Sequence, residues 1–275
     1  MPFTPSHAVV ALAFTRTPLV PAAIAVGAMT PDLPLFVRTG LPLYGYTHDA
    51  AFVPATALVA LVLLLVWRCV LRPAAAELSP RWLAGRLPEA WARGAAASAR
   101  ETFASPTGRV TASSLMLLSV SLVLGVLTHI GWDLFTHEGR GGVEAIPALD
   151  AMWGPLPGYT WAQHGSSVLG LAILAVWAAV RLCARGVRHV ERRVPDMLRL
   201  AWWVSLPAVL VVAWGVGLAA YGPISAEWTV AHLAYRVLPA AVGGWGAATL
   251  VLAAWVGWRR HARDAARFAE PADPA

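Results

Sequence analysis

The sequence predicts an all-α integral membrane protein: a helical bundle of five transmembrane helices preceded by an N-terminal helical hairpin. Three observations predict it. Hydrophobic residues make up 58% of the 275 and charged residues 13%, against about 45–50% and about 25% in soluble domains. Five uncharged apolar runs approach the roughly 20 residues that a membrane helix needs. The arginines alternate between rich and poor connections in step with those runs. Such a composition also excludes intrinsic disorder, which requires low hydrophobicity and dense charge.

The elements follow in order within one membrane domain, 1–275. Residues 1–30 hold two apolar pieces, Ala8–Phe14 and Leu19–Met29, split by Thr15-Arg16-Thr17-Pro18. Each piece is too short to cross a bilayer; together they could make one kinked span or, since Pro21 suits the first turn of a second helix, a short helical hairpin, and the resemblance described below, which puts His7 with Asp32, implies the hairpin. Arg16 would then lie deep in the membrane, buried against protein and paired with an acid. The spanning helices are read at 50–70, 110–135, 165–184, 200–222 and 236–258. Between the first two, the connection 72–109 mixes Trp82, Leu87 and Trp91 with spaced arginines. Over Pro80–Phe103 it reads as an amphipathic helix lying on the membrane face. Residues 259–275 form a cytoplasmic tail.

Arginine sets the orientation. The Leu71–Arg109 connection carries six, Ala184–Arg199 five and the tail four. Thr136–His164 carries only Arg140, and Gly222–Ala231 none. The positive-inside rule puts the three rich segments in the cytoplasm and the chain in the cytoplasmic membrane. All 21 basic residues are Arg, and the net charge is +6. A basic chain can bind nucleic acid, but arginines between apolar blocks report orientation, so no nucleic-acid partner is expected. No positive charge precedes Arg16, which argues against a cleaved signal peptide. Cys69 and Cys183 each adjoin arginine at the end of an apolar block and read as free buried thiols.

Polar residues at membrane depth are costly, so each needs an account. His48 opens the first long span. His129, Asp133 and His137 close the second, and His164 opens the third. Asp32 precedes the first span on the same side, so one membrane face receives them all. His129, Asp133 and His137, at i, i+4 and i+8, fall within roughly 80° of helix arc. Cβ atoms at i and i+4 are about 5–6 Å apart, close enough to chelate one divalent ion or for one group to orient the other. Taken alone, His129 and Asp133 fit a polar pair between helices equally well. In Gln163-His164-Gly165-Ser166-Ser167, Ser166 or Ser167 reads as the cap of the third span. His189 and His261 read as solvated. There is no Gly-rich phosphate loop, GxSxG or HExxH.

Several motifs carry a resemblance. Met1-Pro2-Phe3-Thr4-Pro5-Ser6-His7, Gly27-Ala28-Met29-Thr30-Pro31-Asp32-Leu33-Pro34, Thr47-His48, Thr128-His129-Ile130-Gly131-Trp132-Asp133 and Gln163-His164-Gly165-Ser166-Ser167 are similar to those of an uncharacterised family of bacterial multi-pass membrane proteins. Their order resembles that of the membrane-bound metal-dependent hydrolases. The resemblance implies His7, Asp32, His48, His129 and Asp133 as metal ligands. It departs at Pro34, where the second acid of a Pro-Asp-x-Asp would stand, and at Tyr44-Gly45-Tyr46 before Thr-His.

The leading functional expectation is metal-dependent hydrolysis of a phosphoester or lipid-linked substrate at the outer face, with His164 or His137 as general acid. Membrane lipid is the expected partner. Zinc suits a His/Asp set, and manganese and iron are compatible with it. Two rivals belong to other classes. A proton- or metal-conducting transporter needs a polar path through the bilayer, which the runs 50–67 and 200–226 scarcely offer. In a non-catalytic scaffold, the His/Asp pairs would only hold helices together. Neither substrate nor oligomeric state is encoded in these motifs.

The orientation is testable by accessibility labelling of single cysteines in vesicles. Position 150 is expected to label from outside, and positions 95 and 190 only from the cytoplasm. Cytoplasmic labelling at 150 would reverse the face assigned to the histidines.

Overall fold

The structure, a computed structural model, describes residues 3–37, 42–190, 192 and 194–269, with side chains up to 260. Met1 and Pro2 of the opening motif, residues 38–41, Arg193 and positions 270–275 of the tail lie outside the described residues. Two short helices come first, α1 (Thr4–Phe14, a 3-10 helix) and α2 (Pro21–Met29). Five long helices follow, each apolar and long enough to cross a membrane: α3 (Ala50–Leu78), α4 (Ala112–Thr136), α5 (Gly158–Cys183), α6 (Asp196–Tyr221) and α7 (Val230–Ala269). Among the described residues, strand is confined to a small antiparallel hairpin, Met152–Trp153 with Leu156–Pro157, in the α4–α5 connection.

The helix ends depart from the apolar runs. α5 begins at Gly158 rather than 165, because Tyr159-Thr160-Trp161 extends the helix with residues suited to the membrane interface. Ser166 and Ser167 therefore lie inside the helix and are not its cap, a place taken by Pro157. α3 runs through a π-helical turn at Trp67–Leu71 to Leu78, so Arg68 and Arg72 are buried rather than flanking the span. Arg72 donates to the Ser98 hydroxyl. The amphipathic helix expected over Pro80–Phe103 is broken into Arg81–Ala84, Glu89–Ala92 and Ala95–Phe103. Pro88 lacks the N–H that would continue the first piece. Cys69 is half-buried and Cys183 exposed, so only the expectation of free thiols holds at 183.

Contacts group the chain into two compact units. The first comprises Met1–Pro34, Gly40–Leu65 and Arg100–Ala184; the second comprises Leu35–Thr39, Val66–Ala99 and Arg185–Ala275. In the second, Ala74, Leu78, Val194, Ala253 and Val256 form a core flanked by Trp202 and Trp255. Buried Arg199 donates there to the carbonyls of Glu77 and Val194 and pairs with Asp196.

The first unit holds the histidines. A capping box fixes the start of α4: Thr111 Oγ1 accepts from Ser114 N, and Ser114 Oγ accepts from Thr111 N. From there a buried stripe climbs α4 at steps of three and four, through Leu118, Ser121, Leu122, Gly125, Val126, His129, Asp133 and Thr136. α2 lies on this stripe in close backbone contact. A Cβ on Gly27 would stand 2.5 Å from Leu122 O, and one on Gly125 would stand 2.4 Å from Ile24 O. Small residues at such a contact allow membrane helices to approach closely.

α1 folds back against α2 as the expected hairpin. Thr4 at its start donates to Asp32 just beyond the end of α2, at 2.6 Å. α1 also meets α5, where Phe3 N donates to Ser167 Oγ and a Cβ on Gly170 would stand 3.0 Å from Ser6 O. Arg16 corrects the expectation of a buried ion pair. It is exposed at the hairpin tip, where a long side chain can extend toward a polar surface.

The glycine contact generates a prediction. Gly125→Val should cost about 1–3 kcal/mol of stability in chemical unfolding, the range for overpacking a close contact, whereas Gly131→Ala, with open space around its Cα, should change little.

Candidate metal centre

Four elements deliver the polar side chains. The turn Thr30–Asp32 follows α2 and is held by Thr30 Oγ1 donating to Val26 O. The short helix Leu43–Thr47 ends at His48, and Thr47 Oγ1 donates to Pro31 O at 2.7 Å, which sets His48 beside Asp32. α4 supplies His129 and Asp133 one turn apart. α1 supplies His7, whose ring lies 4.1 Å from that of His129, centroid to centroid. All five residues are buried.

The ring tautomers follow from backbone partners. His48 Nδ1 lies 2.9 Å from Tyr44 O, and His129 Nδ1 lies 2.8 Å from Ala28 O. A carbonyl oxygen only accepts, so each Nδ1 carries a proton and donates. With Nδ1 engaged in this way, a neutral ring presents its Nε2 lone pair inward, and the two Nε2 atoms are 3.2 Å apart. Asp32 Oδ1 is 3.7 Å from His129 Nε2 and 3.8 Å from His48 Nε2. Asp133 Oδ2 is 3.4 Å and 3.5 Å from the same two atoms.

Asp32, His48 and His129 each bring one donor atom within 4.8 Å of the others, close enough for one cation. Bonds of about 2.0–2.1 Å at tetrahedral angles put donor atoms roughly 3.3–3.4 Å apart. Two facing lone pairs and two buried carboxylates otherwise repel one another, whereas one divalent ion would balance both acids. Burial, the largest influence on Asp32, pushes its carboxyl above the ordinary range, against the opposing effects of His129 and the Thr4 hydroxyl. A carboxylate in that position seeks a compensating positive charge. The residues could therefore hold a metal ion, and nothing in the geometry selects which one.

Around this quartet stand the remaining polar groups. His7, His129 and Asp133 form a second triad with donor atoms within 4.8 Å of one another. His7 Nε2 and Asp133 Oδ1 are buried without a hydrogen-bond partner. His137 Nδ1 approaches Asp133 Oδ1 at 3.6 Å, and its Nε2 accepts from the Gln163 amide at 3.2 Å. Burial lowers the His137 imidazole below its usual range, which keeps it neutral and suits that acceptor role.

His164 faces elsewhere. It is exposed, while Gln163 before it is buried against His137. Successive helix residues point about 100° apart, so burying one turns the other outward. Gln163 and Thr4 are the site residues that the sequence did not single out. The signal for Thr4 was its place one 3-10 turn before His7, which sets both side chains on one face. Once α5 was known to begin at Gly158, helix phase pointed to Gln163.

The chain belongs to the family described as a domain of unknown function (DUF4184), which matches residues 1–256. No curated protein and no solved structure matches the chain.

The Thr4 hydroxyl supports Asp32 without reaching the donor quartet itself. Thr4→Val should weaken divalent-ion affinity by about 10–100-fold, as loss of a ligand's supporting hydrogen bond does, with little change in the unfolding midpoint. Metal titration in detergent checks this.

Proposed function

We propose that this membrane protein is a metal-dependent hydrolase whose centre is held by Asp32, His48, His129, Asp133 and His7. The observation that carries the reading is the pair of Nε2 atoms 3.2 Å apart between two buried carboxylates, with the unpartnered His7 Nε2 beside them. A satisfied polar pair holding helices together would leave no such atom. These residues would hold a divalent ion, zinc by preference for His and Asp donors, and it would supply Lewis-acid polarisation of the scissile bond and a more acidic water.

The protein's own groups divide the remaining work. Tyr44 O and Ala28 O orient the two rings through Nδ1, and Thr4 orients Asp32. Asp133 offers Oδ2 to the quartet and leaves Oδ1 facing His137. His137 Nδ1 lies 3.6 Å from that oxygen, with Gln163 holding the ring from its other side. We assign His137, not the outward-facing His164, as the proton-transfer group: neutral at rest, it acts as general acid once it has taken up a proton. The substrate class is a phosphoester or a lipid-linked molecule, and the membrane is the cytoplasmic one, with the centre at its outer face.

Purified protein is expected to retain one or two divalent ions, read by elemental analysis. Asp133→Ala and His129→Ala should each release most of that metal while the fold persists. His137→Gln should keep the metal and lose most of the hydrolysis of phosphodiester and acyl-ester probes, by about 100-fold or more, as removal of a general acid does. Wild-type protein that purifies without metal and takes none up would refute the reading.

A further inference from the structure

A groove of about 480 Å³ lies in the first unit between α4 and α5 and is floored by α1. Val9, Val10, Leu169 and Ile173 give it an apolar lining. Leu169 and Ile173 are largely exposed on a helix that the composition places in the bilayer, so the groove opens sideways toward lipid. From Ser166 to Ile173 it runs about 10 Å along α5.

Most polar groups on its wall are already engaged. The Thr128 hydroxyl donates to Gly125 O, the Ser166 hydroxyl to Gln163 O, and the Trp132 indole N–H to Ser166 Oγ. His7 differs: it is 8% exposed, and its Nε2 has no hydrogen-bond partner. In a 3-10 helix residues three apart are eclipsed, which stacks His7 on Val10. The imidazole therefore stands at the end of an apolar row and belongs at the same time to the triad with His129 and Asp133.

We infer that this groove receives an acyl chain of a glycerophospholipid, drawn laterally from the bilayer, with the lipid's ester linkages at His7. This deepens the hydrolase reading and rests on it for the chemistry at the polar end. Charge complementarity selects the occupant. With a divalent ion in it, the cluster of His7, His129 and Asp133 would attract the phosphate-bearing part of the lipid, and an apolar trough open to the membrane suits its chain. A water-soluble phosphoester would meet Val9, Val10, Leu169 and Ile173 with nothing to bury against them.

The test uses the full chain in vesicles of phosphatidylethanolamine and phosphatidylglycerol, with a trace of phosphatidylglycerol carrying a diazirine on one acyl chain. After photolysis, labelling is mapped by mass spectrometry. Val10 and Ile173 should be labelled about tenfold above Val176, a preference worth a tenfold ratio in occupancy. Val176 lies on the same helix, is exposed and sits outside the groove. Val10→Trp, which fills the trough, should bring Ile173 down to the Val176 level. Leu169→Trp makes the same test if Val10→Trp fails to fold. Equal labelling of Ile173 and Val176 in folded wild-type protein would overturn the inference. Metal content measured on the same vesicles separates the two readings. Uniform labelling with metal retained defeats the groove alone; groove labelling without metal upholds the acyl site and defeats the hydrolase.

Discussion

Two imidazole Nε2 atoms 3.2 Å apart, buried between two carboxylates, are the constraint on which the first unit depends. Left to themselves these groups repel, and burial removes the water that would screen them. The chain nonetheless spends backbone carbonyls at Tyr44 and Ala28 to hold both rings with Nε2 inward. It spends the Thr4 and Thr47 hydroxyls to hold Asp32 and the segment that bears His48. A cation at the meeting point turns the repulsion into attraction. In the proposed account, the centre therefore contributes to the stability of the hairpin as well as to chemistry, because metal binding and folding are coupled wherever ligands come from separate segments.

The hairpin is the device that makes this assembly possible. As one helix, residues 7 to 32 would place their ends roughly 37 Å apart, on opposite membrane faces. The fold-back at Thr15–Pro18 returns both ends to one side. Gly27 and Gly125 then let α2 approach α4 at backbone distance, which brings Ala28 O to His129. Here sequence, packing and site are linked: the residue type sets the helix separation, and the separation sets the hydrogen bond that fixes the tautomer.

Much of this was legible from residue spacing. His129 and Asp133 share a helix face by periodicity, and both lie on the buried stripe of α4. The two short apolar pieces allowed a hairpin without requiring it. His7 was reached only through an expected likeness of the opening motif, because the rings and acids it meets, His129 and Asp133, lie far along the chain. Other features were hidden for physical reasons. Hydropathy reports the apolar middle of a helix and not its hydrogen-bonded ends, so α5 was read as starting seven residues late, and Ser166 and Ser167 were taken for caps. That error in phase also hid Gln163 behind His164. Burial of Arg68 and Arg72 depends on Ser98 and other tertiary partners that no local pattern reveals. Arg16, read as buried beside an acid, is exposed at a hairpin tip.

The central claim concerns donor atoms, so X-ray absorption spectroscopy of zinc-loaded protein addresses it most directly. The account predicts a shell of nitrogen and oxygen at about 2.0–2.1 Å, with outer scattering from at least two imidazoles, one of which is lost in His48→Ala. A zinc shell of oxygen alone, without imidazole scattering, would contradict it.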